Sequence, residues 1–335
     1  VISITITIAV IGAGSWGTAL AILLARQGSD TYLWARDPAY LRTMQSTRCN
    51  NRYLPGIQFP DSLVLSSNLA ETVAKVEDIL VVVPSHAFRS IIQQLADVMT
   101  PGQRLIWASK GFESGSGKLM HQVINELHGT DLATAIVSGP TFALEVAQNY
   151  PTTVTIASTN PSFAKQLAER LHGDNFRAYT SEDVIGVEVG GGVKNILAIA
   201  AGIADGLGFG ANTRTALITR GLSEMMRLGI ALGGHRETFM GLSGLGDLVL
   251  TCTDDLSRNR RLGLALGKGK SLEDALATID QVVEGVQAAR EVNDLAISMG
   301  VDMPISQQVY QVLYESKAPK DAVQSLLSRE LKGET

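Results

Sequence analysis

Along the first half of the chain, short runs of Val, Ile and Leu alternate with longer stretches whose apolar residues recur at helical spacing. That is the pattern of strands joined by crossover helices in a parallel sheet. The runs predict strands over 4–11, 31–35, 63–66, 79–83, 104–109, 135–138 and 154–157. Ile79-Leu80-Val81-Val82-Val83 is apolar at every position, so both faces of that strand meet other elements and it belongs in the centre of the sheet. Beyond about Ser181 the texture changes: Ala, Leu, Ile and Met at helical spacing, as over Ile196–Ala204 and Thr215–Leu232, replace the β-branched runs. Two domains follow, residues 1–185 on a mostly parallel, doubly wound α/β sheet and residues 186–335 all-helical, with the boundary where Val184-Ile185-Gly186 leads into Gly190-Gly191-Gly192. Val1–Ala25 is uncharged and long enough to span a bilayer, yet it is broken by Gly12, Gly14 and Gly17 and lacks the basic opening of a signal peptide. It reads as strand, turn and helix.

Composition narrows the function classes. With 335 residues, 45% hydrophobic and 18% charged, the chain has apolar material for real cores, which excludes intrinsic disorder. A formal net charge of -5 removes the usual driving force for general nucleic-acid or anionic-membrane binding, so any anion site must be local. Cys49 and Cys252 lie far apart and outside any C-x-x-C, which argues against a disulfide scaffold and for a reducing, cytoplasmic setting. The 5 histidines form neither H-E-x-x-H nor a Cys/His cluster, so no metal site is expected.

Gly12-Ala13-Gly14-Ser15-Trp16-Gly17 fits G-x-G-x-x-G and follows a strand, at the opening of a helix predicted over Trp16–Gln27. The first glycine allows a tight turn, the second lets a pyrophosphate approach the backbone, and the third lets helix and strand pack closely, with the phosphates at the positive helix end. The bland alternative is a structural turn. Further on, where an NAD-binding fold places an acid for the adenosine ribose, the strand ends Leu33-Trp34-Ala35-Arg36-Asp37. Arg36 suits a 2′-phosphate and hence NADP(H), while Asp37 keeps NAD(H) open; read structurally, Arg36 is a solvated charge and Asp37 the N-cap of a helix beginning at Pro38.

Three more segments fall at predicted strand ends, where such sheets bind ligands: Pro84-Ser85-His86, Ser109-Lys110-Gly111 and Ser138-Gly139-Pro140-Thr141. Lys110 is placed to meet a carbonyl or phosphate, or is a solvated loop cation, and His86 reads as structural before it reads as an acid or base. In the helical half, Lys194 follows Gly190-Gly191-Gly192-Val193 and precedes Asn195 and an apolar stripe. Burial brings a lysine towards the working range of a general acid, and the glycines admit a substrate; the alternative is a lysine snorkelling from an apolar helix. Ser257-Arg258-Asn259-Arg260-Arg261 has the form of an N-cap and a basic first turn, which opposes the helix dipole unless an anion sits there, against the reading of a merely solvated turn. Asp247, isolated among glycines and leucines, can orient a lysine, bind hydroxyls or cap the run behind it. Gly115-Ser116-Gly117-Lys118 narrowly misses a P-loop, because Phe112 holds the first glycine position and Leu119 follows the lysine.

These segments fit one family. Through Val10-Ile11-Gly12-Ala13-Gly14-Ser15-Trp16-Gly17-Thr18-Ala19-Leu20, Val82-Val83-Pro84-Ser85-His86, Lys110-Gly111, Ser138-Gly139-Pro140-Thr141-Phe142-Ala143, Val193-Lys194-Asn195, Gly244-Leu245-Gly246-Asp247-Leu248, Ser257-Arg258-Asn259-Arg260 and Val282-Val283-Glu284-Gly285, the chain closely resembles the bacterial NAD(P)-dependent glycerol-3-phosphate dehydrogenases over essentially its whole length. The resemblance implies a Rossmann-like N-terminal domain and an all-α C-terminal domain of the 6-phosphogluconate dehydrogenase-like type. It implies reversible reduction of dihydroxyacetone phosphate by NAD(P)H to sn-glycerol 3-phosphate, which supplies the glycerophospholipid backbone. It also implies that Lys194 transfers the proton, that Lys110, Gly139, Thr141, Lys194, Asp247, Ser257, Arg258 and Asn259 hold the substrate, and that Ser15, Trp16, Arg36, Lys110, Ala143, Arg258, Val282 and Glu284 join Gly12, Gly14 and Gly17 at the cofactor. NADP(H) is expected ahead of NAD(H), with no metal, no nucleic acid and no membrane insertion, and the apolar helical half suggests a homodimer. Val1 departs from the initiator methionine, and no functional residue lies among the first few positions. The competing readings are another β-hydroxyacid-type dehydrogenase and a non-catalytic NADP-sensing protein; the basic Arg258 turn favours a phosphorylated substrate.

Overall fold

The computed structural model describes residues 7–279 and 281–329. Residues 4–6 of the first predicted strand and the last residues of the second predicted domain lie outside them. The chain divides into two compact units, one running to Lys110 and resuming over Met120–Val187, the other formed by Gly111–Leu119 and the chain from Glu188 onward. Gly111–Leu119, expected within the first domain, thus groups with the second unit.

The first unit carries strands β1 (Thr7–Ile11), β2 (Asp30–Trp34), β3 (Cys49–Asn50), β4 (Leu54–Gln58), β5 (Val64–Ser66), β6 (Asp78–Val81), β7 (Arg104–Trp107), β8 (Thr134–Ser138), β9 (Thr152–Ala157) and β10 (Phe176–Ser181). Its main sheet has the order β10-β9-β8-β7-β6-β1-β2-β5. Every neighbouring pair is parallel except β8 with β9. The winding runs from β1 through β2 to β5 on one side and through β6, β7 and β8 on the other, so the switch point falls beside β1, where such sheets take their ligands. Successive residues of one strand serve opposite faces: Ile8 and Val10 join the core with Leu80 and Ile106, whereas Ala9 and Ile11 join the core with Ile79, Val81 and Trp107. Burial on both faces is why these runs show no polar alternation.

Three strands escape the sequence pattern. The antiparallel pair β3–β4 is short and contains Pro55 and Gly56, and its entry turn places Arg48 at φ 53. The edge strand β10 exposes Arg177, Tyr179 and Thr180, so its sequence carries little apolar signal.

In the second unit the described residues form helices and no strand. The helix Val184–Gly206 runs unbroken through Gly190-Gly191-Gly192. These glycines serve close packing: a Cβ on Gly190 would collide with the Ser243 carbonyl oxygen, and one on Gly192 with the Phe112 ring. Gly202 and Gly206 do the same against the helix Arg258–Gly267, where Gly263 and Gly267 face them, so the two backbones touch. By length and composition Val184–Gly206 is long and apolar enough to cross a membrane, yet 83% of that apolar window is buried in the fold, as befits a core helix.

Candidate active site

At the carboxyl end of β1 the first unit forms the glycine turn that leads into the helix Ser15–Arg26. Gly12 sits at φ +120, which only glycine adopts readily, and a Cβ there would strike the Val82 carbonyl. A Cβ on Gly17 would strike the Gly12 carbonyl, while Gly14, the N-cap of the helix Ser15–Arg26, faces open space. That helix has no side-chain cap and no acid in its first turn, so its terminal amides and positive dipole end suit a pyrophosphate. Ser15 Oγ donates to the Tyr53 carbonyl (2.6 Å). Trp16 and Ala143 pack on the same core, the helix Ala143–Ala147 lying against Ser15–Arg26.

At the end of β2, Arg36 is exposed. The Asp37 carboxylate accepts from the amides of Ala39 (2.9 Å) and Tyr40 (3.2 Å), so it caps the helix Pro38–Thr47. Past β7 and β8, Lys110 Nζ donates to the Gly139 carbonyl (3.0 Å), and Thr141 Oγ1 lies 3.4 Å from the same oxygen. Gly139 is at φ +149, and a Cβ there would lie 3.0 Å from Val154 Cα. Three of the predicted substrate residues of the first unit therefore meet at one carbonyl. His86 lies exposed on the helix Ser85–Ala96. The P-loop-like segment does not form a phosphate cradle, since the Gly115 amide donates to the Glu291 carboxylate (2.9 Å).

In the second unit, Lys194 forms an ion pair with Asp247 and donates to Thr251 Oγ1 (3.0 Å), whose hydroxyl donates to the Asp247 carbonyl (2.6 Å). Asp247 and Thr251 are one turn apart on the helix Asp247–Thr253, entered through the π-helical turn Leu242–Gly246. Lys194 is 6% exposed and Asp247 0%, and charges so buried persist only when paired. Next to them, burial pushes the Cys252 thiol up to about 12 despite the cations Lys194 and Arg260, so it is no nucleophile.

The remaining predicted residues form a second network. Ser257 caps the helix Arg258–Gly267 by accepting from the Arg260 amide (3.2 Å). Asn259 Nδ2 donates to Asn195 Oδ1 (2.8 Å), and Asn259 Oδ1 accepts from the Gly285 amide (2.9 Å). Arg258 donates to the Val282 carbonyl (2.8 Å), and burial lowers its pKa while Glu284 opposes the shift. Within the basic first turn, Arg260 pairs with Asp205 (2.8 Å), so part of that charge is neutralised internally. Val282 itself is exposed. Sequence reading missed Thr251 and Asn195; the only available signal was the spacing of Thr251 one helical turn after Asp247, and the adjacency of Asn195 to Lys194. Among the described residues no group of three or more His, Cys, Asp and Glu is placed to hold a metal ion.

A glycine turn opening onto a helix end at a sheet's switch point, together with a helical unit holding a buried lysine–aspartate pair, places the protein among the dinucleotide-dependent oxidoreductases. Residues 7–164 match the family model of the NAD-dependent glycerol-3-phosphate dehydrogenase N-terminus, and residues 183–324 that of its C-terminus. The chain belongs to the NAD-dependent glycerol-3-phosphate dehydrogenase family. It is 57% identical over 325 residues to a glycerol-3-phosphate dehydrogenase [NAD(P)+] of Nitrosococcus oceani, covering 97% of this chain and 94% of that one. It is 56% identical over 327 residues to the protein of the same name from Thioalkalivibrio sulfidiphilus, covering 98% of each. The crystal structure of glycerol-3-phosphate dehydrogenase from Coxiella burnetii superposes with a TM-score of 0.94 at 48% identity, covering 97% of this chain and 99% of that one.

Proposed function

We propose that the protein reversibly reduces dihydroxyacetone phosphate to sn-glycerol 3-phosphate with NAD(P)H, in the cytoplasm and as a homodimer, supplying the backbone of glycerophospholipids. The observation that carries this reading is the buried Lys194–Asp247–Thr251 cluster in a chain of this family. When bound, the reduced nicotinamide supplies a hydride to the ketone carbon. Lys194 donates a proton to the oxygen as it becomes an alkoxide, and Asp247 and Thr251 hold the ammonium in place. Lys110, Gly139 and Thr141 position the substrate, and Ser257, Arg258 and Asn259 receive its phosphate, which gives a small molecule binding energy away from the reacting carbon. Gly12, Gly14, Ser15, Trp16, Gly17, Arg36, Lys110, Ala143, Arg258, Val282 and Glu284 hold the dinucleotide. The exposed Arg36, with Asp37 already engaged as a cap, favours NADP(H) over NAD(H).

Replacement of Lys194 tests the assignment. Lys194→Ala is expected to abolish turnover while leaving cofactor binding, measured by fluorescence titration, intact. A Lys194→Ala protein with normal turnover would remove Lys194 as the proton donor.

A further inference from the structure

Beside the glycine turn, the hairpin β3–β4 presents a cation that the reading above does not use. The guanidinium of Arg52 lies over the ring of Tyr53 (5.3 Å to the centroid) and that of Tyr40 (6.0 Å). The two rings meet edge to face, 6.5 Å apart at 87°. The Arg52 amide donates to the Tyr40 hydroxyl (2.8 Å), and that hydroxyl donates to Asn50 Oδ1 (2.9 Å). Asn50 is fully buried and donates to the Ala13 carbonyl (2.9 Å) and to Thr18 Oγ1 (2.8 Å), while Ser15 Oγ holds the Tyr53 carbonyl. The hairpin is thus tied at one side to the Gly12–Gly17 turn and at the other to the helix Pro38–Thr47, which starts just after Arg36 and Asp37. None of these ties uses the guanidinium. Arg52 is exposed, and among the described residues it has no acidic partner.

We infer that Arg52 is a second cation for the 2′-phosphate of NADP(H), acting with Arg36 and deepening the cofactor assignment on which this inference rests. A guanidinium stacked on aromatic faces keeps its edge donors for a phosphate, which they meet as a fork. The pyrophosphate has its own donors at the Ser15–Arg26 helix end, whereas Tyr40, under Arg52, belongs to the first turn of the helix that follows the ribose-binding end of β2.

The test is calorimetric titration of the full chain with NADPH, NADH, adenosine 2′,5′-bisphosphate and 5′-AMP. In R52A, NADPH and the bisphosphate are expected to bind about tenfold or more weakly, and NADH and 5′-AMP to change by less than about twofold. R52K should recover little, because an ammonium lacks the fork. Equal losses for NADPH and NADH would mean a pyrophosphate contact and overturn the inference, as would no loss for either. Wild-type protein that binds neither dinucleotide would overturn the cofactor assignment itself, and the inference with it.

Discussion

Replacing one member of the Lys194–Asp247 pair should damage stability as well as chemistry, whereas replacing both should restore much of the stability and none of the chemistry. Lys194→Met leaves a carboxylate at a position 0% exposed, and Asp247→Asn leaves an ammonium at one 6% exposed. Each single change is expected to cost about 3–5 kcal/mol, the cost of a buried charge left alone. Two unit charges in contact attract by about 4 kcal/mol at an effective dielectric near 20, and this term is absent from the double variant, which holds no charge to desolvate. K194M/D247N should therefore be more stable than either single variant, with a coupling energy of several kcal/mol, while all three lose dihydroxyacetone phosphate reduction. Urea unfolding followed by tryptophan fluorescence gives the four free energies of the cycle. Strictly additive losses, within about 0.5 kcal/mol, would refute the coupling between the two buried charges.

Glu224 supplies a pH test. It is buried and accepts from the amides of Ile305 (2.6 Å) and Ser306 (3.0 Å), and burial raises its pKa from 4.5 to about 7. The folded protein holds this proton more tightly than the unfolded chain, so the stability it adds is complete below pH 4.5 and lost as pH rises through about 7. Relative to E224Q, the wild type should lose about 3 kcal/mol across that window, and urea midpoints that track each other from pH 4.5 to 8 would contradict this. Gly263→Ala drives a Cβ into the Ile199 carbonyl, and forced overpacking of about 1–3 kcal/mol should lower the melting temperature; an unchanged melting curve would mean the two helices separate easily. Asp37→Ala should cost about 1 kcal/mol as a lost helix cap and leave the KM for NADH unchanged, whereas a selective rise in that KM would make Asp37 a ribose ligand.

Much of the fold was legible in the sequence because its central strands are buried on both faces and so read as unbroken apolar runs. β10 was hidden because an edge strand with Arg177, Tyr179 and Thr180 in water has no such run, and β4 because Pro55 and Gly56 look like a loop. The glycine run at 190–192 lies inside the helix Val184–Gly206. Glycine in a sequence signals a turn, whereas here the cost of glycine in a helix is offset by the close approach of Ser243 and Phe112. Of the candidate site, motif spacing and the resemblance pointed to Lys194, Asp247 and Asn259. They did not show how these residues are held, because Thr251 and Asn195 act through contacts that no local pattern encodes, and the same is true of Asn50 and Tyr53, which tie the hairpin to the glycine turn.

The most direct test of the central claim is the initial rate of NADPH oxidation with dihydroxyacetone phosphate, run beside unphosphorylated dihydroxyacetone and beside NADH. Rapid oxidation with the phosphorylated ketone alone is the predicted result, faster with NADPH than with NADH at subsaturating cofactor. Folded protein that oxidises neither cofactor with dihydroxyacetone phosphate, or that reduces both ketones equally well, would contradict the account.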